Sequence, residues 1–183
     1  MIKDEVTPAV THIVNLSIGT SIFPSPWKIS KVIPLHKKLD PLDPSNYRPV
    51  AILPIISKVL ERIIFDQIVE YFDLNQLFHP NHHGFRAGHS TCTALLQMYD
   101  SWIEALEKDE MTGVCMLDMS AAFDVVSHRL LVDKLTLYGF DNTARSWMDS
   151  YLVGRSQCVY LDGSFSSTIP GYPKGQFLDH SAM

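Results

Sequence analysis

The sequence predicts an α+β fold, mostly helical with a small antiparallel sheet. Three observations carry this expectation. Apolar residues recur at helical spacing in five separate segments. Extended, β-branched segments are few and short. The order of helix, extended segment, helices, central strand, helices and hairpin is not a series of βαβ units.

Residues 4–19 read as the first helix, with Val6, Val10, Ile13, Val14 and Leu16 at helical spacing. Pro8 is tolerable in a first turn and Gly19 suits the C-terminal end. Phe23-Pro24-Ser25-Pro26-Trp27 reads as a rigid loop. Lys28 to Lys38 is extended, and Pro34 confines that strand to an edge or an end. Pro41 to Asn46 is turn chemistry. Pro54 opens a helix to about Phe72. Ile55, Ile56, Val59, Leu60, Ile63, Ile64, Ile68 and Phe72 form its apolar stripe, with Lys58, Glu61, Arg62 and Asp66 outside it. His79 to Gly88 reads as a loop, and Ser90 or Thr91 caps a helix to about Lys108. Gly113 to Leu117 reads as a short buried strand. Ser127 caps a helix ending near Gly139, and Asp141 begins another through Tyr151. Val159, Leu161 and the turn Asp162-Gly163 indicate a β-hairpin.

The totals bound the function. A chain of 183 residues with 46% hydrophobic and 19% charged side chains builds a core and is not of disordered composition. The net charge of −5 argues against a basic surface spread over the whole molecule. Any phosphate-binding surface must be local. From residue 25 to 50, five basic residues (Lys28, Lys31, Lys37, Lys38 and Arg48) face Asp40 and Asp43, a local charge of +3. Cys92, Cys115 and Cys158 lie far apart with no Cys-x-x-Cys pair, which argues against structural zinc and for reduced thiols inside a cell. The acidic start Met1 to Glu5 is unlike a signal peptide, and no apolar run approaches the roughly 20 residues that span a bilayer. An intracellular, non-secreted, non-membrane protein is expected.

One segment carries chemistry. Val114-Cys115-Met116-Leu117 is apolar and ends in Asp118, which would put a carboxylate at the rim of a sheet. Magnesium prefers such hard oxygen ligands, and two-metal catalysis needs several of them. Read from these residues alone, Asp118 is either a metal ligand or a strand-end cap. His79, His82, His83 and His89 lack metal-ligand spacing and read as ordinary loop histidines.

Four segments in order bear a resemblance. Leu117 to Asp124, LDMSAAFD, resembles the first palm motif of non-LTR (LINE-type) retrotransposon reverse transcriptases. WKISKVIPLHKK (27–38) and PSNYRPVAILP (44–54) are similar to their fingers. HGFRAGHSTCTAL (83–95) resembles the next fingers motif. Gly139-Phe140 and the hairpin up to Gly171 match the palm segment that follows.

The resemblance implies a right-hand polymerase fold, with fingers over 1–110, a partial palm over 111–176 and a divergent tail over 177–183. It implies an RNA-directed DNA polymerase that uses Mg2+, deoxynucleoside triphosphates, an RNA template and a DNA primer, acting in the nucleus or cytoplasm. Residue by residue, Asp118 matches the first catalytic metal ligand. Met119 matches a position whose backbone passes metal and triphosphate, and Phe123 matches the steric gate against a ribose 2′-hydroxyl. Asp124 is read as structural. Arg86 matches a fingers arginine near template or triphosphate, or else caps the surface. Lys37, Lys38 and Arg48 fall in segments that face nucleic acid.

The pattern breaks at Gly171 to Gln176. There Lys174 stands where the family has glutamine beside the incoming nucleotide. No Tyr-x-Asp-Asp follows, and no Asp-Asp occurs anywhere. The expectation is a chain that is inactive alone and whose hairpin and central strand lack sheet partners. The alternative is a non-enzymatic RNA-binding or interaction fragment.

Overall fold

The computed structural model describes residues 2–37, 40–119, 126–161 and 163–171. They fall into two compact units whose boundary lies within one helix, after Asp66.

The first unit is built on a sheet. Strand β1 (Ile29–His36) pairs antiparallel with β2 (Tyr47–Ile52), in register from Lys31↔Ile52 to His36↔Tyr47. The connection is held as its composition predicts. Leu42 N–H donates to Asp40 Oδ1, Asn46 Nδ2 to the Asp40 carbonyl and the Tyr47 hydroxyl to the Pro41 carbonyl. Strand β3 (Ser156–Leu161) lies on the other side of β1, parallel to it over Ile29–Val32. Pro34 sits beyond that stretch, opposite Pro49, where β1 has a neighbour on one side only. A residue without an N–H is tolerated there.

Strand β3 turns at Gly163 into β4 (Ser164–Phe165), the expected hairpin, and also pairs with β5 (Ile169–Pro170). Two expectations are thereby corrected. The hairpin has sheet partners, and the sheet is mixed instead of antiparallel. More than a hundred residues, with several helices, separate β1 from β3. A crossover of that length permits parallel pairing that no tight turn allows.

Helix α1 (Ile2–Thr20) and helix α5 (Asn142–Leu152) supply the core of this unit. The Trp147 indole N–H donates to Ser17 Oγ at 3.0 Å, and Ser17 donates to the Ile22 carbonyl at 2.7 Å. Phe23 is buried against this pair, and a 3-10 turn (Ser25–Lys28) replaces the irregular loop expected around it. Helix α4 (His128–Leu137) is capped by Ser127 and ends at Gly139, whose φ of 83° only glycine adopts freely. Asp141 caps α5 by accepting from Ala144 N–H.

Helix α2 (Ile55–Leu74) forms as predicted, but its buried face differs. Ile55 is 80% exposed, while Ser57, Leu60 and Glu61 are buried. The exclusion of Glu61 from the inner face is thus overturned. It goes in because Ser57 and Arg155 meet it there.

The second unit holds the rest of α2, a loop and α3 (Thr91–Glu107). Ser90 and Thr93 form a reciprocal capping box at the start of α3. Residues 110–119 follow without regular structure. The buried strand expected at 113–117 is therefore absent: Met116 is 79% and Leu117 88% exposed. A strand exists through its partners, and the strands among the described residues pair with one another instead.

Candidate nucleic-acid interface

Alternation along β1 and β2 sorts the sheet into two faces. Ser30 and Val32 point inward and are buried. Lys31, Ile33 and Leu35 take the other face, with Ile52, Val50 and Arg48 opposite them. This outer face is apolar and half open, since Leu35, Ile52 and Phe165 remain 52%, 43% and 62% exposed. Two cations border it. Lys31 Nζ lies 3.4 Å from the Tyr160 ring centroid and 5.4 Å from that of Phe165, a cation–π contact that fixes the ammonium over β3 and β4. Arg48 is exposed on the edge strand. Lys37 continues β1 by one residue, its N–H donating to the Asn46 carbonyl at 2.9 Å. The structure thus brings Lys37 and Arg48 to the same end of one hairpin. Lys38 lies outside the described residues.

The sheet face was only half legible. The sequence places Lys31, Lys37 and Arg48 in a local basic patch, but it assigns no strand to β2 and no role to Tyr160 or Phe165. The available signal was the alternation Arg48-Val50-Ile52, masked by Pro49 in its midst.

Buried beneath the same unit is a charged group. Glu61 Oε1 accepts from Ser57 Oγ at 2.8 Å and lies 3.9 Å from Arg155 Nη2. Arg155 Nε donates to the Tyr151 carbonyl at 2.8 Å, and its guanidinium stacks 4.1 Å from the Tyr151 ring centroid. Burial raises the Glu61 carboxyl above its ordinary value, outweighing the lowering by the Ser57 hydrogen bond and by the Arg155 and Lys58 charges.

In the second unit, Arg86 pairs with Asp73 at 3.6 Å and lies 5.0 Å from the Phe78 ring centroid. Only a quarter of its side chain is exposed. It ties the loop to the end of α2. His82 stacks on Phe78, His83 Nε2 donates to Gln97 Oε1 at 2.6 Å, and His89 Nδ1 lies 3.0 Å from the Ala87 carbonyl.

Asp118 and Met119 are exposed on the irregular segment. Asp118 therefore does not stand at the rim of a strand. Among the described residues, no three His, Cys, Asp or Glu side chains converge to hold a metal ion. One solvated carboxylate does not fit a pair of magnesium ions. Phe123, Asp124 and Lys174 lie outside the described residues. No helix among the described residues is long and apolar enough to cross a membrane.

Comparison with known proteins bears directly on this arrangement. Residues 35–176 match the family described as reverse transcriptase (RNA-dependent DNA polymerase). The chain is 30% identical over 182 residues to the RNA-directed DNA polymerase from mobile element jockey of Drosophila melanogaster, covering 97% of this chain and 20% of that protein. It is 31% identical over 173 residues to the probable RNA-directed DNA polymerase from transposon X-element of the same species, covering 92% and 19%. It is 27% identical over 142 residues to the Pol polyprotein from type-1 retrotransposable element R2 of Popillia japonica, covering 77% and 19%. The chain spans about a fifth of the length of these relatives. The matched region takes in the β1–β2 hairpin tip, the loop of the second unit and the Asp118 segment, and the chain belongs to the reverse transcriptase family of non-LTR retrotransposons.

Proposed function

We propose that this chain is the nucleic-acid-gripping portion of a retrotransposon RNA-directed DNA polymerase. The observation that carries the reading is the β1–β2 hairpin, with Lys37 and Arg48 at one end and Lys31 farther along the outer apolar face. Phosphates suit the cations and base faces suit the apolar and aromatic surface, a combination typical of single-strand binding sites.

In this reading residues 1–110 act as fingers and 111–176 as the start of a palm, with 177–183 a divergent tail. Its ligands are an RNA template, a DNA primer and deoxynucleoside triphosphates, encountered in the nucleus or cytoplasm. Asp118 would supply one ligand to a magnesium site, which further carboxylates would have to complete. Met119, Phe123 and Lys174 flank the incoming nucleotide, and Phe123 screens its sugar. Arg86 orders the loop through Asp73 and reaches nucleic acid at most with its exposed edge. Among the described residues no carboxylate joins Asp118, where two magnesium ions need several, and in this reading the chain alone does not extend a primer.

The test is equilibrium binding of a labelled single-stranded RNA across a salt series. Binding is expected to weaken with salt, with a log–log slope of roughly −0.7 for each phosphate contact. Charge reversal by Lys37→Glu with Arg48→Glu is expected to flatten that slope by at least 1.4, which corresponds to roughly two lost contacts. An unchanged slope would sink the hairpin as the interface. Primer extension by the 183-residue chain with magnesium, abolished by Asp118→Ala, would overturn the claim of inactivity.

A further inference from the structure

Helix α3 leaves an apolar face uncovered. None of its 17 residues is fully buried. Ala94, Met98, Trp102 and Ala105 are half-buried and form its inner side. Leu95, Leu96, Tyr99 and Leu106 remain 62%, 56%, 57% and 65% exposed, and Ile103 37%. At 3.6 residues per turn these five side chains fall within an arc of about 100°. Single apolar residues on a surface need no explanation, but a contiguous stripe rimmed by polar residues marks an interaction site.

The stripe has a charged border on one side only. Asp100, Glu104 and Glu107, all exposed, occupy the next arc of about 80°, while the opposite border runs into the half-buried side. Glu104 meets Lys108 at 2.6 Å. From Asp100 to Glu110, five acids against Lys108 alone give a local charge of −4 in a chain of −5.

These charges select the occupant. The acidic border repels a phosphate backbone, which sets this face apart from the basic hairpin of β1 and β2. A second copy of the chain would bring one acidic face against its like, and like charges across an interface oppose pairing. A helix whose own apolar stripe is edged by Lys or Arg meets both halves of the surface. Its apolar side chains cover Leu95, Tyr99 and Ile103, and its cations face the acids.

We propose that the outer face of α3 docks a basic amphipathic helix of a protein partner, with the partner's Lys or Arg residues against Asp100, Glu104 and Glu107. The proposal goes beyond the nucleic-acid reading above and does not depend on it.

The experiment uses the whole 183-residue chain and two synthetic helical peptides of the length of α3. One has Leu on one face bordered by Lys, and the other has Glu in place of each Lys. Fluorescence anisotropy is expected to show the Lys peptide binding about tenfold more tightly than the Glu peptide, with the difference shrinking as salt rises. Leu95→Gln with Tyr99→Gln should weaken the Lys peptide by about tenfold or more. Both positions are exposed, so that variant should keep the wild-type melting temperature. Asp100→Lys with Glu107→Lys should reverse the preference in favour of the Glu peptide, a switch that loss of folding does not produce. Equal affinity for the two peptides, or binding of neither, would overturn the proposal. So would wild-type dimers in sedimentation that Leu95→Gln with Tyr99→Gln dissociates, since the occupant would then be a second copy. Loss of RNA binding in that same variant would assign the face to nucleic acid and overturn it as well. RNA binding lost only in Lys37→Glu with Arg48→Glu leaves the two surfaces distinct, as proposed.

Discussion

Phe23→Ala is expected to lower the thermal midpoint of the chain by roughly 6–20 °C, the equivalent of about 3–5 kcal/mol for a core aromatic in a domain of this size. Phe23 is 1% exposed and lies between α5 and the 3-10 turn. Its ring meets Tyr151, Trp147 and Trp27 edge-on, at centroid distances of 5.1, 5.8 and 6.1 Å. The Arg155 guanidinium lies 5.2 Å from its centroid. Truncation removes three edge-to-face contacts at once and leaves a cavity whose walls are large, stiff rings that close poorly. Leu42→Ala, at a position 89% exposed, should move the midpoint by less than 2 °C, within the roughly 0.5 kcal/mol typical of surface changes. Equal shifts for the two variants in thermal melts would contradict this account of the core.

Breaking the Glu61–Arg155 pair is expected to cost about 3–5 kcal/mol when one partner is removed alone. Arg155→Met leaves the Glu61 carboxylate buried with only Ser57 as a described hydrogen-bond partner. Replacing both, as Glu61→Leu with Arg155→Met, should recover much of the loss, since an apolar pair of similar volume needs no desolvation. A double-mutant cycle measured by urea denaturation checks this, and additivity of the two changes would refute it.

The same pair sets a pH dependence. The folded-state Glu61 value is raised above the ordinary 4.5, so the folded chain binds its proton more tightly than the unfolded chain does. The stability from this group is complete below pH 4.5 and is lost as pH rises through the raised folded value. Glu61→Gln should remove that component. The difference between the two stability–pH curves should therefore slope in this window and be flat above it.

Much of the backbone was legible because its signals are local. Ser90, Ser127 and Asp141 cap helices from one or two turns of sequence, and each cap is observed where its residue type placed it. Pro34 marked the point where β1 has a neighbour on one side only. The turn at Gly163 fixed the β3–β4 hairpin. The errors arose where a residue's fate depends on a partner remote in sequence. Glu61 looks like a solvated helix position until Arg155, 94 residues on, is placed beside it. Val114 to Leu117 has the composition of a buried strand, but composition supplies no partner strand.

The sequence by itself determined the family, through motifs in order around Asp118, Arg86 and the Lys37–Arg48 segment, and it determined the helices through spacing and caps. The tertiary structure decided which of those residues act together. Sheet register put Lys31 and Arg48 on one face, because side chains alternate at every residue and pairing sets the phase. Burial turned Glu61 from a surface charge into half of an interior pair. The contacts of His83 with Gln97 and of Arg86 with Asp73 tie the loop to the helices on either side of it, which no local signal in the loop specifies.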